Sequence, residues 1–201
     1  NGPQQLVGNA GTDTADYSGR SVPLTITVGA GANDGAAGEN DDVTATVEDV
    51  AGGSVADTID ASAATAVAHV LSGNNGADAL TGSSLADTLN GGAGADTLDG
   101  RGGADVENGG SEDDTFAQGA AANGGDTLTG NGGTDTASYA SRTVAVSLSV
   151  DGVANDGEAG ELDAIGSDVE VLVGGSAGDT FDQGAAANGG QQLVGNGGAD
   201  L

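Results

Sequence analysis

Asp78, Asp87, Asp96, Asp105 and Asp114 stand nine residues apart without interruption. Each sits in a short block that opens on glycine: GNNGADALT (73–81), GSSLADTLN (82–90), GGAGADTLD (91–99), GRGGADVEN (100–108) and GGSEDDTFA (109–117). GGSVADTID (52–60), GNGGTDTAS (130–138) and GGSAGDTFD (174–182) are of the same kind. The shared pattern is Gly-Gly-x-Gly-x-Asp-x-U-x, with U a large apolar residue. Asp contributes a hard anionic oxygen, and the glycines admit a tight turn that brings backbone carbonyls together. Repeated in register, these residue types point to the binding of a hard cation.

The elements that position them follow from the rest of each block. Its last three residues predict a short strand whose middle side chain (Leu80, Leu89, Leu98, Phe116) points inward while its neighbours point out. Two successive blocks then make one coil of a parallel solenoid with a turn on each edge. Asp78, Asp96 and Asp114 fall on one edge, and Asp87 and Asp105 on the other. Adjacent coils lie ~4.8 Å apart, and carboxylates stacked at that spacing repel unless a cation lies between them. Oxygen donors without a His or Cys cluster select Ca²⁺ over zinc or copper.

The blocks resemble the RTX, or haemolysin-type, calcium-binding nonapeptide family, and GGAGADTLD matches its pattern at every position. The resemblance implies an all-β fold, a parallel β-roll or β-solenoid with Ca²⁺ in its turns, in proteins exported by type I secretion and folding outside the cell. The position-six residues Asp13, Asp57, Asp78, Asp87, Asp96, Asp105, Asp114, Asp126, Asp135, Asp179 and Asp200 are the expected ligands. Asp126 and Asp135 continue the series after a three-residue insertion beyond Gln118. Gln4 and Gln191 replace the Asp, so weak or no binding is expected there. His69 takes the Asp place in ATAVAHVLS (64–72), a block without glycine, and is read as structural on a corner that lacks calcium. Glu107 falls at an inward position. Because a buried carboxylate is costly, a local slip that turns Val106 inward is expected instead.

A longer repeat encloses the nonapeptides. Residues 12–60 align with 134–182 at a constant offset of 122, TDTADYSGRSVPLTITV against TDTASYASRTVAVSLSV. Val22, Leu24, Ile26 and Val28, like Val144, Val146, Leu148 and Val150, alternate with their neighbours as in a half-buried strand. An Asn-Asp-Gly turn and an acidic excursion loop follow, and the chain re-enters the solenoid through Glu48 and Glu170. The organisation expected is nonapeptide-type coils (1–16), long strand and loop (17–51), nonapeptide β-roll (52–138), second long strand and loop (139–173), and nonapeptide-type coils (174–201). Asp34, Glu39 and Asp41, with their copies Asp156, Glu161 and Asp163, form a candidate second kind of calcium site. Asp151 faces Gly29 in the alignment and is read as ordinary. Arg20 and Arg142 are each expected to pair with a loop carboxylate. NGPQQLVGNAGTD (1–13) matches NGGQQLVGNGGAD (188–200), so a chain that continues, or stacks onto an identical neighbour, is expected.

Composition narrows the function. With 31 acidic residues against three basic ones (Arg20, Arg101 and Arg142, with no Lys), the net charge is −28. That charge excludes nucleic acid and anionic membrane surfaces as partners, and no apolar run approaches the ~20 residues of a membrane span. One His and no Cys leave no triad or dyad, so no enzymatic activity is expected. On the order of ten Ca²⁺ would offset about 20 of the negative charges, and binding and folding become one equilibrium. The reading favoured is a calcium-binding structural segment of a secreted, extracellular or cell-surface protein (adhesin, surface layer or filament), stiffened by Ca²⁺ and stacking head-to-tail with identical copies. The alternative is the secretion and folding module of a type I-secreted enzyme or toxin. Outward threonines (Thr58, Thr88, Thr97, Thr115) leave an ice-binding solenoid as a lesser reading.

Overall fold

The computed structural model describes residues 3–182 and 190–201; the Asn1–Gly2 and Asn188–Gly189 parts of the terminal match lie outside the described residues. The described residues form twenty strands and no helix. In the nonapeptide region, β-favouring Thr and Leu alternate out and in, while the glycines that follow admit the bend that ends each pass. Val70–Asn75, Thr88–Ala93 and Val106–Ser111 pair in parallel two blocks apart, Val70 against Thr88 and Thr88 against Val106. On the other face Ala79–Thr81, Thr97–Asp99 and Thr115–Ala117 pair at the same interval. The insertion after Gln118 lengthens the next coil, Val106 against Thr127 and Thr115 against Thr136, without disturbing the register. The fold is an all-β parallel roll.

Its interior is a single file of apolar side chains. Leu71, Leu80, Leu89, Leu98, Phe116 and Leu128 are fully buried between the two faces, continued by Ile59, Val50 and Ala15 toward one end and Ile165 and Leu172 toward the other. With about one large side chain per half-coil, hydrophobic burial alone is thin, and the edges must carry part of the stability.

The two long units change the number of faces. Around the first, the chain passes through Gln5–Leu6, Thr14–Asp16 and Leu24–Thr27 before returning to Asp42–Val43, Asp49–Ala51 and Thr58–Asp60, so this coil has three sides. The second passes through Thr127–Gly132, Thr136–Ser138 and Ser147–Ser149, then Ala164–Ile165, Val171–Val173 and Thr180–Asp182. A two-stranded sheet of Gln5–Leu6 and Asp42–Val43 thus stops as the two main sheets of seven and nine strands begin. The seven-stranded sheet ends in turn at Ala164–Ile165, where the sheet of Ser147–Ser149 and Thr180–Asp182 has opened. The repeat offset carries each face of the first unit onto the next face in the second.

Two expectations are corrected. The long strands begin at Leu24 and just after Val146, not at Val22 and Val144, which are about half exposed. Upstream the chain is still closing a turn, with the N–H of Arg20 on the carbonyl of Tyr17 and that of Arg142 on Tyr139. Nor does the chain slip at Glu107. It pairs with Leu89 and Leu128 in register and is fully buried, while Val106 is 40 % exposed. A one-residue slip would reverse every side chain of the strand and break pairing on both flanks, a larger loss than one polar group inside. Glu107 Oε1 accepts the Gly100 N–H at 3.1 Å and Gln118 Nε2 at 3.3 Å. Burial, with the charge of Asp126 adding to it, pushes its carboxyl well above the usual range, toward the neutral acid.

Candidate metal centre

The aspartates at position six sit on the corners of the roll, and each is tied to the next coil. On one edge the backbone N–H of Asp57 donates to Asp78 Oδ1, Asp78 to Asp96, Asp96 to Asp114 and Asp114 to Asp135, at 2.7–2.9 Å. The N–H of Asp135 donates to Glu170 Oε2 at 2.9 Å, so that glutamate takes the aspartate's place. On the opposite edge the series runs from His69 through Asp87, Asp105 and Asp126 to Asp163, at 2.7–2.9 Å. The long-unit corners repeat the device: Asp13 on Glu48, Gln4 on Asp41 and Asp179 on Asp200.

The second carboxylate oxygen distinguishes the corners. Oδ2 of Asp78, Asp96, Asp105, Asp114 and Asp135 is buried and meets no hydrogen-bond donor. A buried ionised oxygen without a partner is costly, so these atoms are the candidates to ligate a cation. Their surroundings fit one. A Cβ on Gly91 would collide with Asp96 Oδ2 and come within 2.6 Å of the Gly109 carbonyl oxygen; a Cβ on Gly73 would collide with Asp78 Oδ2 and meet the Gly91 carbonyl at 2.8 Å. Glycine is required there because carboxylate and carbonyl oxygens of two coils converge on the space. In the same turns the second and fourth residues are left-handed, as in Gly92 (φ 116°) and Gly94 (φ 126°), and even Asn74, Arg101, Glu112 and Asn131 adopt positive φ of 69–77°.

Charge reinforces the point. Burial, and behind it the charges of neighbouring acids, pushes Asp78 up to about 6 and Asp105 and Asp114 up to about 7; Asp96 and Asp135 are raised for the same reasons. Without a counter-ion these groups draw protons. The donors are carboxylate and peptide oxygens, with no sulfur or ring nitrogen, the set that suits Ca²⁺. Among the described residues no three His, Cys, Asp or Glu side chains gather into one metal-holding group. Such a cation would therefore rely on backbone carbonyls for most of its shell.

Residues 70–89, 81–116 and 120–138, about a third of the chain, match the RTX calcium-binding nonapeptide repeat in four copies. These stretches are RTX repeats. RTX repeats bind calcium, and the unpartnered oxygens of Asp78, Asp96, Asp105, Asp114 and Asp135 lie within the RTX stretches matched here. No curated protein matches the chain.

Outside the RTX core, the excursion-loop carboxylates have protein partners. Asp34 accepts the N–H groups of Thr27 at 2.5 Å and Val43 at 2.7 Å, one on each oxygen. Asp156 accepts those of Ser149 and Ile165 in the same way. Asp41 takes the Gln4 N–H at 2.9 Å, and Asp163 takes the Asp126 N–H at 2.9 Å and the Tyr139 hydroxyl at 2.7 Å. Glu39 pairs with Arg20 at 2.8 Å. Glu161 pairs with Arg142 at 2.5 Å and Glu158 with the same guanidinium at 2.9 Å. Here the positive charge is supplied by arginine. Arg142 is fully buried, lies 5.5 Å over the Tyr139 ring and also donates to the carbonyls of Gln118 and Gly119 and to Asn123 Oδ1.

The remaining position-six residues, of which Asp87 and Asp126 also lie in the RTX stretches, behave differently from the five with an unpartnered oxygen. Asp13, Asp57, Asp87 and Asp179 each fold Oδ2 back onto the N–H four residues earlier, on Asn9, Gly53, Ser83 and Gly175, at 2.5–2.9 Å. Asp126 Oδ2 takes Asn123 Nδ2 at 3.1 Å. Asp200 is exposed beside Gly195. His69 is buried and neither ring nitrogen has a partner. Sequence reasoning did not single out Ser83, Gln118, Asn123 or Tyr139. The fourth residue of the turn carried part of the signal: it is glycine before four of the five unpartnered aspartates (Gly76, Gly94, Gly103 and Gly133, with Glu112 before Asp114), and Val55, Leu85 or Ala177 before three of the four folded-back ones, with Gly11 before Asp13.

Proposed function

We propose that this chain is a calcium-dependent structural segment of an extracellular protein, a stalk, surface layer or filament that becomes a rigid rod on binding Ca²⁺. The observation that carries the reading is the file of buried, unpartnered Asp Oδ2 atoms on a roll with a thin apolar core. Asp78, Asp96, Asp105, Asp114 and Asp135 and adjacent glycyl carbonyls would hold the ions. When bound, Ca²⁺ supplies positive charge that offsets repulsion between coils. The protein's own part is to fix one oxygen of each aspartate in the ladder and aim the other at that site. Extracellular modules bind Ca²⁺ at about 10⁻⁴–10⁻³ M, so the chain would remain unfolded in a cytosol and order itself on export. That behaviour, and the secretion common among proteins with RTX repeats, supports an extracellular location.

The segment is read as non-catalytic: its one histidine is buried in a ladder position, and each corner aspartate of the RTX region gives one oxygen to coil-to-coil bonding. Repetition of the long unit supports a structural role over a secretion module attached to an exported enzyme or toxin. Head-to-tail association of copies through the coil ends belongs to the same reading. Circular dichroism during calcium titration, reversed with chelator, tests it. A rise in β-signal with Ca²⁺ and its loss on chelation is expected at neutral pH; β-content indifferent to chelator would reject coupled folding.

A further inference from the structure

The corners of the roll are of two kinds, open and closed. Four successive corners of one edge, those of Asp78, Asp96, Asp114 and Asp135, have a buried Oδ2 without a donor. In these turns the second and fourth residues are left-handed: Asn74 and Gly76, Gly92 and Gly94, Gly110 and Glu112, Asn131 and Gly133. The strands leading into them run six residues, and coil-to-coil pairing continues into the turn itself, Gly92 facing Asn74 and Gly110. The carbonyl rows stacked there are open to the interior of the corner.

The opposite edge is built otherwise. Its strands stop after three residues at Ala79–Thr81, Thr97–Asp99 and Thr115–Ala117. At its corners stand His69, then Asp87, whose Oδ2 is taken by both the N–H and, at 2.8 Å, the hydroxyl of Ser83. Next come Asp105, the one donor-free Oδ2 found on this edge, and Asp126 and Asp163, capped by Asn123 and the Tyr139 hydroxyl. Asp57, at the start of the first edge, is likewise capped by the Gly53 N–H.

We propose that the protein latches the turns of Asp57, Asp87 and Asp179 shut with its own N–H groups, so that calcium loads only the open turns, those of Asp78, Asp96, Asp114 and Asp135 on one edge and that of Asp105 on the other. The assignment rests on the calcium-dependent reading above. In a latched turn both carboxylate oxygens already accept N–H groups, Oδ1 from the preceding coil and Oδ2 from its own turn, so a cation would have to displace the Oδ2 bond or share that oxygen with it. Opening it would require the turn to adopt two left-handed residues, which Ser83 and Leu85 resist and Gly92 and Gly94 do not. On the opposite edge the corners of Asp87 and Asp126, on either side of the open turn of Asp105, are closed by donors of the protein itself.

Counting bound calcium on the full chain, by equilibrium dialysis with metal analysis, tests this. Asp→Asn keeps the Oδ1 acceptor of the ladder and removes the charge. Asp96→Asn and Asp114→Asn are expected to bind fewer ions than wild type, and Asp57→Asn and Asp87→Asn the same number. A gain-of-site variant guards against misfolding: Ser83→Gly, Ser84→Ala and Leu85→Gly together recreate the open turn GGAGAD at 82–87 and are expected to add an ion. Equal losses from Asp87→Asn and Asp96→Asn, or no added ion in the triple variant, would overturn the assignment of latched and open turns while leaving calcium dependence standing. Wild type that binds no calcium at millimolar concentration would overturn both.

Discussion

The N–H of Asp96 lies 2.8 Å from Oδ1 of Asp114, one coil further on. Each aspartate of this ladder holds the coil before it with one oxygen and leaves the other facing its own glycines. Under the proposed function the carboxylates would therefore join two tasks, strand-to-strand registration and cation capture, in a single side chain.

Protons compete for the same oxygens. Burial raises Asp78 to about 6 and Asp105 and Asp114 to about 7, above the ordinary 3.8. A carboxyl raised in the folded state stabilises the metal-free roll while protonated. That contribution is full below the unfolded value and is lost as pH rises through the folded one. Metal-free protein should hold β-structure at about pH 4 and lose it by about pH 8, where calcium restores it. Far-ultraviolet circular dichroism against pH checks this; metal-free structure that strengthens with rising pH would contradict it.

The two arginines should differ sharply. Arg142 is fully buried among Glu158, Glu161, Asn123 and two carbonyls, whereas Arg20 is about one-third exposed and pairs with Glu39 beside a cavity of about 130 Å³. Arg142→Ala strands a buried Glu161, at a cost of about 3–5 kcal/mol. Arg20→Ala is expected to cost far less. Thermal unfolding in saturating calcium compares them; equal losses would show that burial of the guanidinium does not matter.

Gly91→Ala places a methyl group against Asp96 Oδ2 and the Gly109 carbonyl. Crowding of this kind costs about 1–3 kcal/mol, equivalent to about 5- to 150-fold in affinity. Calorimetric titration should register that weakening, and an unchanged binding isotherm would rule out the space beside Gly91 as a cation site.

Glu107→Gln keeps the shape of the side chain and removes a titrating group from the interior. Glu107 is raised well above its usual range by burial, so ionising it opposes folding. The sign follows as for the aspartates: the wild-type acid favours the fold at low pH and loses that advantage as pH rises. The variant should match wild type near pH 4 and exceed it near pH 8 by about 1–3 kcal/mol, as measured by denaturant unfolding in calcium.

Much of the roll was legible because its repeat is rigid. A fixed interval of nine places Asp, Gly and Leu at equivalent points, and the sheet register follows as two blocks per coil. The pairing of Arg20 and Arg142 with acids was legible too, since few cations stand among many carboxylates. What composition could not reveal was how each carboxylate divides its two oxygens. Asp87 and Asp96 read alike in sequence, yet Ser83 and Leu85 turn one corner inward on itself while Gly92 and Gly94 leave the other open. Glu107 defeated a local rule because the strands on both sides hold it in place. The three-sided coils were hidden as well, because strands as short as Asp42–Val43 carry almost no periodic signal.

Those three-sided coils set the course of the whole rod. Each long unit abandons one wall of the roll and raises a new one beside the wall that continues, an exchange of sheets that would step the axis sideways whenever such a unit is crossed. Units laid end to end would climb like a staircase instead of standing like a post, and a feature carried by one excursion loop would look out in a different direction from the next.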